Sequence, residues 1–172
     1  MHLKRIIILF IAVVFPYLNY AQGSKFDSIF SETAQVLVGS NPKKALKNTD
    51  YLYKIASDNS QRIKSSMLRA TLLRQYGIRN EAVAALKRAD SLAVIDKNYT
   101  MQARINGFLS TLYREFEIYS IGKTYLQKAV RISRKIEDKT DMYKFQGNLS
   151  QEIAYYYMYS SDFSEAIVHL KK

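Results

Sequence analysis

The side chains best suited to chemistry are few and scattered. His169 and Glu165 stand four residues apart, one turn of a helix. That spacing suits an ion pair or two surface groups, so His169 reads as a salt-bridged or surface histidine. The other histidine, His2, belongs to the N-terminal leader. Glu115/Glu117 and Glu137/Asp138 bring carboxylates together, but at expected helix ends, where solvation accounts for them. Paired-carboxylate catalysis needs a concave apolar setting, and the sequence indicates none. Cysteine is absent, which removes disulfides, thiol catalysis, cysteine-held zinc and a lipid anchor on cysteine. There is no glycine-rich phosphate loop, no nucleophile elbow and no zinc motif of two histidines on one helix. The chain is therefore read as non-catalytic, with no catalytic residue, no cofactor and no metal.

Behind these residues stands a chain of 172 residues, 48% hydrophobic, enough for one domain with a real core. Six glycines and two prolines are too few for many tight turns and favour long helices over an all-β fold. Lys and Arg number 26 against 15 Asp and Glu, a net charge of +11. A protein this basic prefers anionic partners.

Residues 1–21 differ from the rest. Lys4 and Arg5 precede an unbroken apolar run from Ile6 to Phe15, then Pro16, a short polar stretch and Ala21. This is the order of a secretory signal peptide, with cleavage expected after Ala21. Ten apolar residues make about 15 Å of helix, half of a bilayer core of about 30 Å, so a stable span is the weaker reading. Without the leader the net charge is +9. An exported, periplasmic protein rarely meets nucleic acid, so an acidic peptide, a membrane surface or a cell-wall polymer fits better.

The rest of the chain repeats. Ala70-Thr-Leu-Leu73 with Ala82, Leu86 and Ala89 aligns with Ser110-Thr-Leu-Tyr113, Gly122, Leu126 and Ala129. Ala154-Tyr-Tyr-Tyr157 with Ala166 and Leu170 forms a third copy. A degenerate earlier copy places its small residue at Ala45, after Ser40-Asn41-Pro42. Two helices pack closely only where small side chains face each other, and the aromatic and leucine positions fill the space around that crossing. Polar clusters at 57–60, 96–98 and 137–140 mark breaks. Eight helices are expected near 25–38, 42–57, 60–76, 79–95, 100–116, 119–136, 140–160 and 162–172. The fold class is all-α. An ordinary antiparallel helical bundle is the alternative to a repeat array.

This pattern resembles the tetratricopeptide repeat, or TPR, over about residues 25–172. The small-residue positions Ala45, Ala82, Gly122 and Ala166 are spaced by 37, 40 and 44 residues, longer than the usual period of about 34. The resemblance implies a right-handed α-solenoid of antiparallel helix pairs, about four of them, in a domain over 22–172. The last helix is short and the last repeat incomplete, which reads as a truncated chain or as an array that dimerises through its open C-terminal end.

The resemblance also implies a partner-binding groove lined by the first helix of each pair. Its positions are Lys64, Met67, Thr71 and Arg74, then Arg104, Thr111 and Arg114, then Asn148, Gln151, Tyr155 and Tyr159. Lys64 matches Arg104 and Arg74 matches Arg114. Such basic rungs would suit a protein or an acidic or C-terminal carboxylate peptide. Phe30 and Ala34 stand where a chaperone-binding carboxylate clamp would have lysine and asparagine, so chaperone binding is not expected. Within the run Tyr155–Tyr159, Tyr157 takes the core position, while Tyr155 and Tyr159 share another face. An exported leader before long-period repeats is similar to the sensory half of Bacteroidetes membrane-tethered helix-turn-helix transcriptional regulators. No nucleic-acid contact is assigned to this segment. A stand-alone periplasmic adaptor or scaffold is the alternative.

Overall fold

A computed structural model describes residues 25–171. The expected signal peptide, residues 1–21, and His2 lie outside them. The described residues contain helices and short connections and no strand.

Helix α1 covers residues 25–40 and holds a π-helical turn over Thr33–Leu37. It is followed by α2 (Pro42–Ile55), α3 (Asn59–Gln75), α4 (Arg79–Ile95) and α5 (Tyr99–Glu115). Helices α6 (Tyr119–Ser133), α7 (Lys139–Tyr159) and α8 (Phe163–Leu170) complete the described chain. The polar clusters read as breaks act as caps. The side chains of Asn41, Asp58, Asn98, Asp138 and Asp162 each accept a hydrogen bond from a backbone N–H of the first turn that follows. Pro42 opens α2, where its missing N–H costs nothing. Helices α4 and α6 instead start after Ile78 and Ile118, which offer no side-chain cap.

Four connections close in the same way. After α3, the N–H of Gly77 bonds the Arg74 carbonyl, and that of Ile78 bonds the Leu73 carbonyl. The same pair of bonds recurs at Lys97/Asn98, Glu117/Ile118 and Ser161/Asp162. This is the Schellman arrangement, and it puts one residue in the left-handed region. Gly77 does so at φ 71° without strain, but Lys97, Glu117 and Ser161 do so at 52°, 61° and 61°.

Helices pack in sequence order, each on the next. Alternate helices also touch, α3 with α5 and α5 with α7. The core runs along the chain as a series of patches. Phe26, Leu52 and Ala56 form the first. Leu37, Ala45 and Leu72 form another, and the largest joins Ile63, Leu73, Ala82 and Leu86 to Ile105 and Leu112. Ala103, Leu126, Ala129, Phe145 and Leu149 carry it onward. The small positions Ala45, Ala82, Gly122 and Ala166 are all buried. At Gly122 the reason is visible: a Cβ there would lie 3.1 Å from the Ser110 carbonyl oxygen and would collide with the Tyr156 hydroxyl.

Three expectations change. Tyr156, not Tyr157, is the aromatic that reaches into the helix crossing; Tyr157 is half-buried and stacks on His169 at 5.4 Å between ring centroids. His169 forms no ion pair with Glu165 among the described residues, because its ring faces Tyr157. Helix α8 has eight residues, shorter than the roughly eleven expected, and its Ile167 and Leu170 are 51% and 56% exposed.

Candidate partner-binding groove

Alternate helices α3, α5 and α7 enclose an open cleft of about 860 Å³. Of the positions expected in a groove, Met67, Arg74, Arg104, Thr111, Arg114, Asn148, Gln151 and Tyr155 line it together. Lys64 is exposed on α3 and Thr71 is half-buried there; neither is among its lining residues. Tyr159 is directed elsewhere. It stacks on Tyr119 of α6, with ring centroids 3.4 Å apart, and lines a separate cleft between α6 and α7. The groove also holds Phe108, Lys144, Phe145, Leu149, Glu115 and Glu152, which the repeat register did not single out.

Two of those unforeseen residues alter the electrostatics. Arg74 of α3 makes a two-pronged pair with Glu115 of α5, through Nε at 2.8 Å and through its second donor. Arg114 of α5 grips Glu152 of α7 the same way, at 2.8 Å and 3.1 Å. The planar guanidinium fits a carboxylate edge to edge, which fixes both groups. Glu152 is only 8% exposed, so this second pair is largely withdrawn from water. Burial alone would lower the pKa of Arg114. The hydrogen bonds and charge of Glu152 outweigh that, Glu115 adds to them, and the guanidinium stands above its ordinary value. Glu115 is thus a partner in a seam between helices and not merely a solvated helix end.

The expected basic rungs therefore spend much of their charge on the array itself. Arg114 also lies 4.5 Å from the Tyr155 ring centre and Arg74 6.0 Å from that of Phe108. Both contacts hold an aromatic ring on the groove wall. Arg104 is looser, with its nearest carboxylate, Asp141, at 3.9 Å and with both side chains more than 40% exposed. Lys144 is exposed and has no ion pair among the described residues.

The remaining polar groups divide into turned-in and outward ones. The Thr71 and Thr111 hydroxyls donate to the carbonyls of Met67 and Gly107 on their own helices. Asn148 and Gln151 are exposed, and Gln151 makes only a 3.5 Å contact with the Tyr155 hydroxyl. The outcome is a wall of Phe108, Phe145 and Tyr155 with amide groups, Arg104 and Lys144 beside it. Such a wall can bind a chain segment through apolar contact and hydrogen bonds to its backbone.

Among the described residues no group of three or more His, Asp or Glu could hold a metal ion. None of the described helices is long and apolar enough to cross a membrane. Against protein-family models, curated proteins and solved structures alike, the chain finds no match.

Proposed function

We propose that the chain is a non-catalytic TPR-like module that holds a segment of another protein in the groove of α3, α5 and α7. The fold would be a right-handed solenoid of antiparallel helix pairs. One observation carries the reading: eight positions drawn from the repeat register, on three alternate helices, line a single cleft. Asn148 and Gln151 can each donate and accept, which matches the alternating groups of an extended peptide backbone. Tyr155 and Phe108 supply flat apolar surface at little entropic cost.

The pairing within the array refines the partner. A carboxylate entering near Arg74 or Arg114 would compete with Glu115 or Glu152. Arg104 and Lys144 are the cations with room for it. An acidic side chain or a C-terminal carboxylate of the bound segment is assigned to those two.

A peptide array probed with the purified protein tests this. Peptides that bind should lose about tenfold or more in affinity when Asn148 and Tyr155 are both changed to Ala. Arg104→Glu with Lys144→Glu should weaken the acidic peptides selectively. Binders that do not distinguish the native protein from either variant would overturn the groove.

The leader and the long repeat period support a larger assignment, the exported sensory half of a membrane-tethered transcriptional regulator. A stand-alone periplasmic adaptor is the alternative. The size of the endogenous protein separates them. A membrane-bound band much larger than 19.9 kDa favours the regulator, and a soluble band slightly smaller favours the adaptor.

A further inference from the structure

The second cleft, between α6 and α7, has a different chemistry. Its volume is about 580 Å³. Leu126, Val130, Ile153 and Tyr156 line it, and among the described residues no Asp or Glu does. Three cations do: Lys123 and Arg131 of α6, and Arg134 at its C-terminal cap. All three are exposed, and none has an ion-pair partner among the described residues.

At several other places a cation of one helix meets a carboxylate of another. Arg74 meets Glu115, Arg114 meets Glu152, and Lys128 of α6 reaches back to Asp90 of α4 at 2.8 Å. Helix α8 packs on α7, but none of its residues lines the second cleft. The apolar side of α6 at Leu126 and Val130 is thus flanked by cations that nothing in the described chain answers.

The spacing decides what kind of anion fits. From Lys123 to Arg134 is about 16 Å along the helix. A ligand with one anionic head would reach one end of that row. A helix with acidic residues every three or four positions would follow all of it while setting apolar side chains between α6 and α7. We propose that the α6–α7 cleft is a docking site for an acidic amphipathic helix of a partner protein. The helix lays its apolar side on Leu126, Val130 and Ile153, and its carboxylates pair with Lys123, Arg131 and Arg134. This surface shares no lining residue with the α3–α5–α7 groove and does not depend on it.

The test uses a labelled synthetic peptide of about 18 residues, about five helical turns, with leucine along one face and glutamate on both sides of it. Fluorescence anisotropy should show binding that weakens with salt. Lys123→Glu, Arg131→Glu and Arg134→Glu together should weaken it about tenfold or more, and the triple glutamine variant should weaken it less. A peptide with lysine in place of glutamate should prefer the charge-reversed protein. Asn148→Ala with Tyr155→Ala should leave this binding unchanged. Binding that ignores the three substitutions overturns the proposal. Equal affinity for polyglutamate overturns it too, because the apolar floor would then be idle. Full displacement of the peptide by dodecanoate at comparable concentration would assign the cleft to a single-headed amphiphile. Binding to phosphatidylglycerol vesicles through the same cations, without peptide binding, would make it a membrane contact instead.

Discussion

The Tyr156 hydroxyl lies over Gly122, in the space a Cβ at that position would fill, and donates to the Ser110 carbonyl at 3.2 Å. Three helices meet there: Gly122 is on α6, Ser110 on α5 and Tyr156 on α7. The same meeting place earlier in the chain pairs a larger small residue with a smaller large one. Leu72 packs with Ala45, and Leu112 shares a cluster with Ala82. Where tyrosine replaces leucine, glycine replaces alanine.

Gly122→Ala should therefore destabilise the protein by about 1–3 kcal/mol, even though alanine is the better helix former. Changing Tyr156 to Leu in the same protein should return most of the loss, since that pair copies Ala45 and Leu72. Urea melts of the two single variants and the double variant give the coupling between the sites. Additive losses would show that the hydroxyl and the missing Cβ are independent.

The two arginine pairs should differ in worth. Glu152→Ala strands the Arg114 guanidinium, whose side chain is 20% exposed, and should cost about 2–3 kcal/mol. Glu115→Ala leaves Arg74, 41% exposed, free to hydrate, and should cost no more than about 1 kcal/mol. Thermal or urea unfolding of both variants checks the order, and a reversed order would contradict it.

Three connections carry avoidable backbone strain. Glu117→Gly and Lys97→Gly should each stabilise by about 0.5–1 kcal/mol, because glycine accepts the left-handed conformation that these residues adopt at a cost. Gly77→Ala should lose about 1 kcal/mol by the same reasoning. Denaturant midpoints with unchanged slopes are the measurement.

Alkaline pH probes the same tyrosine. Burial raises the Tyr156 pKa; its hydrogen bond with Ser110 pulls the other way, Glu152 adds to the rise and Arg114 opposes it. The folded protein therefore holds this proton to higher pH than the unfolded chain does. The stability gained is complete below the unfolded tyrosine value of about 10 and is lost as pH rises through the folded value. The stability difference between the native protein and Tyr156→Phe should be largest below about pH 10 and narrow above it. A difference constant across that range would contradict the assignment.

Local signals made the helices legible. Asn41, Asp58, Asn98, Asp138 and Asp162 each sit where a cap ends a polar break, so the expected boundaries lie within about three residues of those observed for α2 to α7. The π-helical turn at Thr33–Leu37 has no such signature. In the groove, residues one or two turns apart on the same face were placed together. What escaped was non-local: Arg74 finds Glu115 41 residues on, and Arg114 finds Glu152 38 residues on. In α7 the register holds at Asn148, Gln151 and Tyr155, and Tyr156 takes the place of Leu72 and Leu112. What the register did not show is that Tyr157 stacks on His169 and Tyr159 on Tyr119, outside the groove. The second cleft did leave a trace in the sequence, since Lys123, Gln127, Arg131 and Arg134 recur at helical spacing.

The proposed seat of a partner segment is the face of α3, α5 and α7. Backbone amide shifts of the isotope-labelled protein, recorded during titration with the tightest peptide from the array, test it most directly. The expected result is a continuous set of shifts at Met67, Arg104, Phe108, Lys144, Asn148 and Tyr155, lost in the Asn148→Ala, Tyr155→Ala variant. Shifts confined to residues outside these three helices, with that variant binding as tightly as the native protein, would contradict it.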